Sequence, residues 1–292
     1  MLKNIKKQKK KHKILLEYFR NIYFCIGIFL LALLLFAVTL APMITHYDPY
    51  RGDISSRLAP PVWMEGGTSA HILGTDGIGR DLFTRIVFGL RVSFLISFIS
   101  VVSAITIGST LGLTAGYFGG WFDNVMSSLI EIQLSFPFII LAVSILSMKT
   151  PTIFLIIIVL TLSCWSLYAR VVRTVVIEKK SIPYIYAAYS MGTGHFRVIT
   201  KYLAKTILPN VVVVGILDFA TVVILETILG LLGIGVRPPT PSLGNIMADG
   251  KKYLSTAWWI FTLPGGVLFV CLLSFNLIGE GLREIMKIKH LG

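Results

Sequence analysis

The chain alternates long apolar runs with short polar intervals, and the runs dominate. Six of them, at about 22–44, 92–115, 124–148, 152–172, 211–234 and 258–280, contain few charges. A helix rises about 1.5 Å per residue, so each run can cross a hydrocarbon core of about 30 Å. The pattern therefore predicts six transmembrane helices. A membrane barrel would instead show segments of about ten residues that alternate in polarity. Only Lys149-Thr150-Pro151 separates the third and fourth runs, a tight turn in which Pro151 suits the start of the next helix. The resulting division is a tail over 1–21, a first transmembrane helix over 22–44 and a long loop over 45–91. A transmembrane domain follows over 92–280, interrupted by a polar segment at 173–210, and a tail over 281–292 ends the chain.

Composition agrees with that reading. Of 292 residues 55% are hydrophobic and 14% charged, with a mean hydropathy of +0.79, whereas a soluble domain carries about a quarter charged residues. The placement of charge says more than its net value of +13. Eight cations, Lys3, Lys6, Lys7, Lys9, Lys10, Lys11, Lys13 and Arg20, fall in the first 20 residues. A basic flank marks the cytoplasmic side of a membrane, and six spans return both termini to that side. With Arg170 counted as an inner flank, 18 cations lie inside and 9 outside. A nucleic-acid-binding arm is the competing reading of the tail, but the tail leads straight into a span and has little aromatic interleaving. Ile22–Ile44 is longer than the apolar core of a signal peptide, about 7–15 residues, and is read as a retained span. Cys25, Cys164 and Cys271 each fall within a span and have neither metal-ligand nor disulfide spacing. Histidines 12, 46, 71, 195 and 290 are scattered, so no metal site is expected.

The polar segment between the fourth and fifth spans is unusual for so apolar a chain. It reads Ser181-Ile-Pro-Tyr-Ile-Tyr186-Ala187-Ala188-Tyr-Ser-Met191-Gly192-Thr-Gly194 and ends in Ile207-Leu208-Pro209-Asn210. Two short helices are expected. Ser181 would cap the first, with Pro183 in its first turn. Ala188 and Gly192 share a face and leave room for another backbone or a large side chain. Gly192 or Gly194 would end that helix in a left-handed conformation. A second helix over about 195–207 would carry Arg197, Lys201 and Lys205 and stop at Pro209. Such a device fits docking of a separate protein, or a packing notch within this polypeptide.

This segment resembles the cytoplasmic loop of type-I ABC-importer permeases, with Ala187, Ala188, Gly192, Ile207, Leu208 and Pro209 at motif positions. Two departures stand out. Tyr186 occupies the usual glutamate position, and the interval from Gly192 to Pro209 is about four residues longer, close to one helical turn of about 3.6 residues. A second stretch, Leu73-Gly74-Thr75-Asp76-Gly77-Ile78-Gly79-Arg80-Asp81 with Gly89-Leu90-Arg91, resembles the signature of the permease branch for dipeptides, oligopeptides, nickel and metal chelates, in its second, C-type subunit. Ala115–Trp121, Phe136-Pro137, Pro238–Gly250 and Phe275–Arg283 agree with the same branch. The resemblance implies an all-α integral membrane protein with the type-I permease fold in a bacterial cell membrane. It implies as partners a second permease subunit, cytoplasmic ATPase subunits and an extracytoplasmic substrate-binding protein, with ATP and magnesium on the ATPases. No nucleic acid is involved, and lipid surrounds the chain.

On the residues themselves, Gly74, Gly77 and Gly79 permit tight turns. Asp76, Arg80 and Asp81 are expected to pair within the loop or with a partner. Arg80, Arg85 and Arg91 are placed near the outer face, where long side chains snorkel. Glu131, Asp218 and Glu226 are carboxylates within spans, where ionisable groups face the bundle interior. Asp218 and Glu226 lie eight positions apart, about 80° around a helix, and either line a translocation path or pair with neighbouring groups. Pro137 and Pro264 within spans kink their helices. The sequence has no Gly-x-x-x-x-Gly-Lys-Ser/Thr loop to cradle ATP phosphates and no nucleophile motif, so the chain is read as a non-catalytic pore subunit. The alternatives are an ion-gradient-driven secondary transporter, which calls for an inverted repeat not seen here, and an integral-membrane enzyme.

Overall fold

The computed structural model describes residues 20–148, 150–183, 185 and 191–291. Helices carry the fold. Beside them, one isolated bridge joins Thr75 to Asp81. Among the described residues five helices are long and apolar enough to cross a membrane, and a sharply bent pair of helices is either a broken sixth span or a re-entrant loop. The chain divides into two compact units, one drawn from the described parts of Met1–Phe94 and Gly230–Gly292, the other Leu95–Leu229.

In the first unit, α1 (Ile22–Thr39) is apolar on every side, as a lipid-facing helix should be. Asn21 caps it by accepting from the Phe24 amide, and its amide donates to Glu284 at 2.7 Å. That bond ties α1 to α8 (Trp259–Leu291), against which it lies. The span ends five residues before the expected Ile44. A separate turn, Ala41–Ile44, follows because Pro42 withholds an amide and restarts the helix. Before α8 comes α7 (Leu243–Gly250), short and almost wholly buried. A capping box holds its start: Ser242 accepts from the Asn245 amide, and Asn245 Oδ1 accepts from the Ser242 amide. The Asn245 amide group also donates to the carbonyls of Val236 and Thr240, which fixes the incoming loop.

The second long helix, α2 (Leu82–Phe118), starts ten residues before the expected Val92. Arg85 and Arg91 interrupt the apolar pattern over this stretch. Asp81 begins the helix by accepting from the Thr84 amide at 2.8 Å, and Arg85 is neutralised by a distant carboxylate described below. The loop after α1 is therefore shorter than 45–91.

In the second unit, Gly108, Gly112 and Gly116 form a four-residue-spaced stripe on α2. A side chain there would strike Trp165, Ala169 and Arg173 backbone on α5 (Ile153–Lys180). The two helices thus meet backbone to backbone, the small-residue packing common in membranes. Thr152 caps α5 by accepting from the Leu155 amide. Lys179 and Lys180 close its last turn, where cations suit the helix dipole. Ser181 ends this helix, with its hydroxyl donating to the Glu178 carbonyl, and most of the helix it was expected to open lies outside the described residues. The third expected span is broken. α3 (Gly120–Ser135) and α4 (Phe138–Met148) meet at 87°. Phe136 is extended because the residue before a proline is pushed out of the helical region.

Pro209 also departs from expectation. A single turn at His195–Val198 and a π-helical turn at Ile199–Leu203 run straight into α6 (Ala204–Leu231), which holds Pro209 inside it. The proline therefore does not stop a separate helix. The helical path is continuous from residue 195 to 231.

Candidate functional site

The segment between α5 and α6 presents one open feature. Gly192 has φ +75° and is exposed, and none of the described residues lies within 4 Å of where its side chain would point. A left-handed turn of this kind suits glycine. Beside it Met191 is 77% exposed, a large apolar side chain offered outward. Met191 belongs to no motif position in the sequence; its exposure beside a glycine turn singles it out. Ile185 and Val198, on either side of the turn, are buried, so the segment has a packed base and an open tip. Ile207 is buried, Leu208 is 62% exposed and Pro209 lies on the exposed side of α6. Tyr186, Ala187 and Ala188 lie outside the described residues, as do the lysines of the N-terminal tail and Lys149.

Several polar contacts join the helix ends near this turn. Arg173 grips Asp123 with both branches of its guanidinium, linking α5 to α3. Lys180 donates to the Tyr117 carbonyl at 2.6 Å, and the Tyr117 hydroxyl meets His195 Nδ1 at 2.7 Å. Glu131 is exposed on α3.

In the first unit the signature residues form one buried knot. Asp76 accepts from Arg80 Nε at 2.6 Å and Arg85 Nη1 at 3.0 Å, and its other oxygen accepts the Ile78 and Arg80 amides. Arg80 is 7% and Arg85 1% exposed. The expectation that these two arginines snorkel is thus overturned, because both are buried and pair with the Asp76 carboxylate. Arg91 alone of the three is exposed. Thr75 accepts from the Ala59 amide, and its carbonyl accepts from Trp259 Nε1 at 3.3 Å, which fastens the loop to α8. Gly79 has φ +79°, and a side chain there would collide with the Asp53 carbonyl. Gly74 is buried in the same way against Ala59.

Arg80 also reaches Asp249 of α7 at 3.6 Å. Burial raises the Asp249 carboxyl above the ordinary aspartate range, partly opposed by Arg80 and Lys252. Asp53 is shifted the other way, lowered by hydrogen bonds from the Ser55 hydroxyl and amide. Asp81 accepts from the Thr84 amide and meets His71 Nδ1 at 3.0 Å. A cavity of about 490 Å³, lined by Ile44, Tyr47, Ile72, Asp81, Phe83 and Thr84 among others, opens beside this pair.

The two intramembrane carboxylates on α6 are both buried, Asp218 at 8% and Glu226 at 0% exposure. Tyr168 of α5 donates its hydroxyl to Asp218 at 2.8 Å. Among the described residues no group of three His, Cys, Asp or Glu side chains could hold a metal ion.

The chain is similar to known proteins over most of its length. Residues 108–286 match the family described as binding-protein-dependent transport system inner membrane component, and residues 12–61 match the N-terminal transmembrane domain of oligopeptide transport permease C. The dipeptide transport system permease protein DppC of Escherichia coli (strain K12) is 36% identical over 274 residues, covering 94% of this chain and 91% of that protein. The di/tripeptide transport system permease protein DppC of Pseudomonas aeruginosa (strain UCBPP-PA14) is 33% identical over 263 residues, covering 90% of this chain and 87% of that protein. A chain from the inward-facing MetNI methionine ABC transporter, in its CY5 native crystal form, aligns with a TM-score of 0.55 at 23% identity. That alignment covers 68% of this chain and 95% of the other, and it speaks to the fold.

The chain belongs to the family of binding-protein-dependent transport system inner membrane components. It is accordingly a permease subunit of an ABC importer, a multi-pass protein of the bacterial inner membrane and not an enzyme. Its all-helical fold is that of the type-I importer permeases. This membership displaces the ion-gradient and enzyme alternatives.

Proposed function

We propose that the chain forms half of the pore of a peptide importer, paired with a second permease subunit. The similarity of nine-tenths of the chain to dipeptide and di/tripeptide permeases carries the choice of cargo. Nickel and metal chelates, implied by the broader resemblance, gain nothing from these relatives. Both termini and the segment 173–210 face the cytoplasm, in keeping with the surplus of cations on that side. The Gly74–Asp81 loop faces outward, toward a substrate-binding protein.

The exposed turn at Met191 and Gly192 is the contact with an ATPase subunit, along with Ala187, Ala188, Ile207, Leu208 and Pro209. ATP and magnesium bind on that partner. Closure of the ATPases on ATP draws the coupling segments together and turns the cavity outward, and hydrolysis resets it. Asp218 and Glu226 line the path and attract the ammonium group of a peptide.

The test uses the whole complex in liposomes. Dipeptide uptake that needs ATP and the binding protein is expected. Gly192→Trp places bulk on the open turn and is expected to strip the ATPase subunits from the purified complex. Gradient-driven uptake by this chain alone, or full retention of the ATPase by Gly192→Trp, would refute the proposal.

A further inference from the structure

Both ends of the segment between α5 and α6 are tied to one residue, Tyr117, in the last turn of α2. Lys180, the final residue of α5, donates from Nζ to the Tyr117 carbonyl at 2.6 Å and sits 5.9 Å from the centre of its ring. His195, the first helical residue after the Gly192 turn, meets the Tyr117 hydroxyl at 2.7 Å. The two rings stand edge to face, with centres 5.7 Å apart. Tyr117 itself is 4% exposed.

The geometry has a mechanical consequence. The last carbonyls of a helix lack partners within it, and a cation is a strong partner for them. Lys180 therefore holds the end of the α2 backbone, while His195 holds its side chain. One residue earlier, a side chain on Gly116 would press on the Arg173 carbonyl and Val176 of α5. The end of α2 is thus locked laterally to α5 and linked to both flanks of the exposed turn. A push on that turn reaches α2 through two short polar bonds, besides travelling along the covalent chain into α5 and α6.

We infer that Tyr117 is a positioning residue for coupling. It converts displacement of the segment bounded by residues 180 and 195 into displacement of α2. The inference rests on the docking of that segment to an ATPase, but it adds a role that docking alone does not require. A permease lacking the clasp would still bind its motor and would transport fewer peptides per ATP hydrolysed.

The experiment measures peptide uptake and ATP hydrolysis on the same proteoliposomes holding the complete importer. Y117F removes the hydroxyl and keeps the ring and the carbonyl. It is expected to retain the ATPase subunits and lower uptake per ATP about five-fold, the scale of one lost hydrogen bond. H195A, which removes the ring contact along with the bond, should lower the ratio at least as far, and adding Y117F to H195A should cost nothing more, because the shared bond is already gone. K180M leaves the Tyr117 side chain in place and should also lower the ratio, with K180R restoring it. Unchanged uptake per ATP in Y117F and K180M would overturn the inference. So would losses in Y117F and H195A that multiply in the double variant, or loss of the ATPase subunits from all of these variants. Gly192→Trp separates the two ideas: if it keeps the ATPase, the docking assignment fails whatever the uptake ratio of Y117F.

Discussion

Asp76 is the residue on which the outward loop depends. It pairs with two buried guanidiniums and accepts from two amides. Removing one partner of a buried pair leaves an uncompensated charge and costs about 3–5 kcal/mol. Asp76→Asn is therefore expected to lower the melting temperature of the purified permease markedly. Asp249→Asn should be near neutral in the same assay, since its carboxylate is disfavoured by burial and its reach to Arg80 is 3.6 Å. Equal effects of the two substitutions would contradict this ranking. Within the membrane, Asp218→Asn combined with Glu226→Gln is expected to raise the half-saturating peptide concentration for uptake. Unaltered kinetics would remove both residues from the translocation path. The carboxylates were legible in the sequence as rare charges in apolar runs. Their partners were not, because Tyr168 lies 50 positions from Asp218 and only folding brings it there.

Five of the six expected spans followed directly from the apolar runs, because a membrane fixes the length of a span. Helix ends were less legible. α2 reaches back to Leu82 because Asp76 neutralises Arg85 from nine positions away, a pairing that no hydropathy window contains. The kink at Pro137 was expected, but the third span breaks there at 87°. The effect of Pro209 was misread: the helical path has no break before it, and the π-helical turn at Ile199–Leu203 lies on the same path. The glycine stripe on α2 makes the prediction at this scale. Gly112→Leu would drive a side chain into the Ala169 backbone. Overpacking costs about 1–3 kcal/mol even where neighbours are side chains that yield, and here the neighbour is main chain. The purified permease should melt at least several degrees lower, whereas Leu113→Ala on the adjacent face should change little by comparison. The reverse order would argue against tight packing of α2 on α5.

For the whole molecule, the family and the class of transport were legible from two motifs and the six runs. The clasp at Tyr117 was not: Tyr117 falls in the Ala115–Trp121 stretch, but its partners lie 63 and 78 positions away and neither of them belongs to a motif. The central claim is that the turn at Met191 and Gly192 faces the cytoplasm and touches a separate ATPase. Its direct test is chemical labelling of Met191→Cys in membrane vesicles of known sidedness, with Cys25, Cys164 and Cys271 replaced by Ala. A membrane-impermeant thiol reagent should modify position 191 from the cytoplasmic side only, and the assembled ATPase should block that modification. Labelling from the opposite side, or labelling at the same rate with and without the ATPase, would contradict the account.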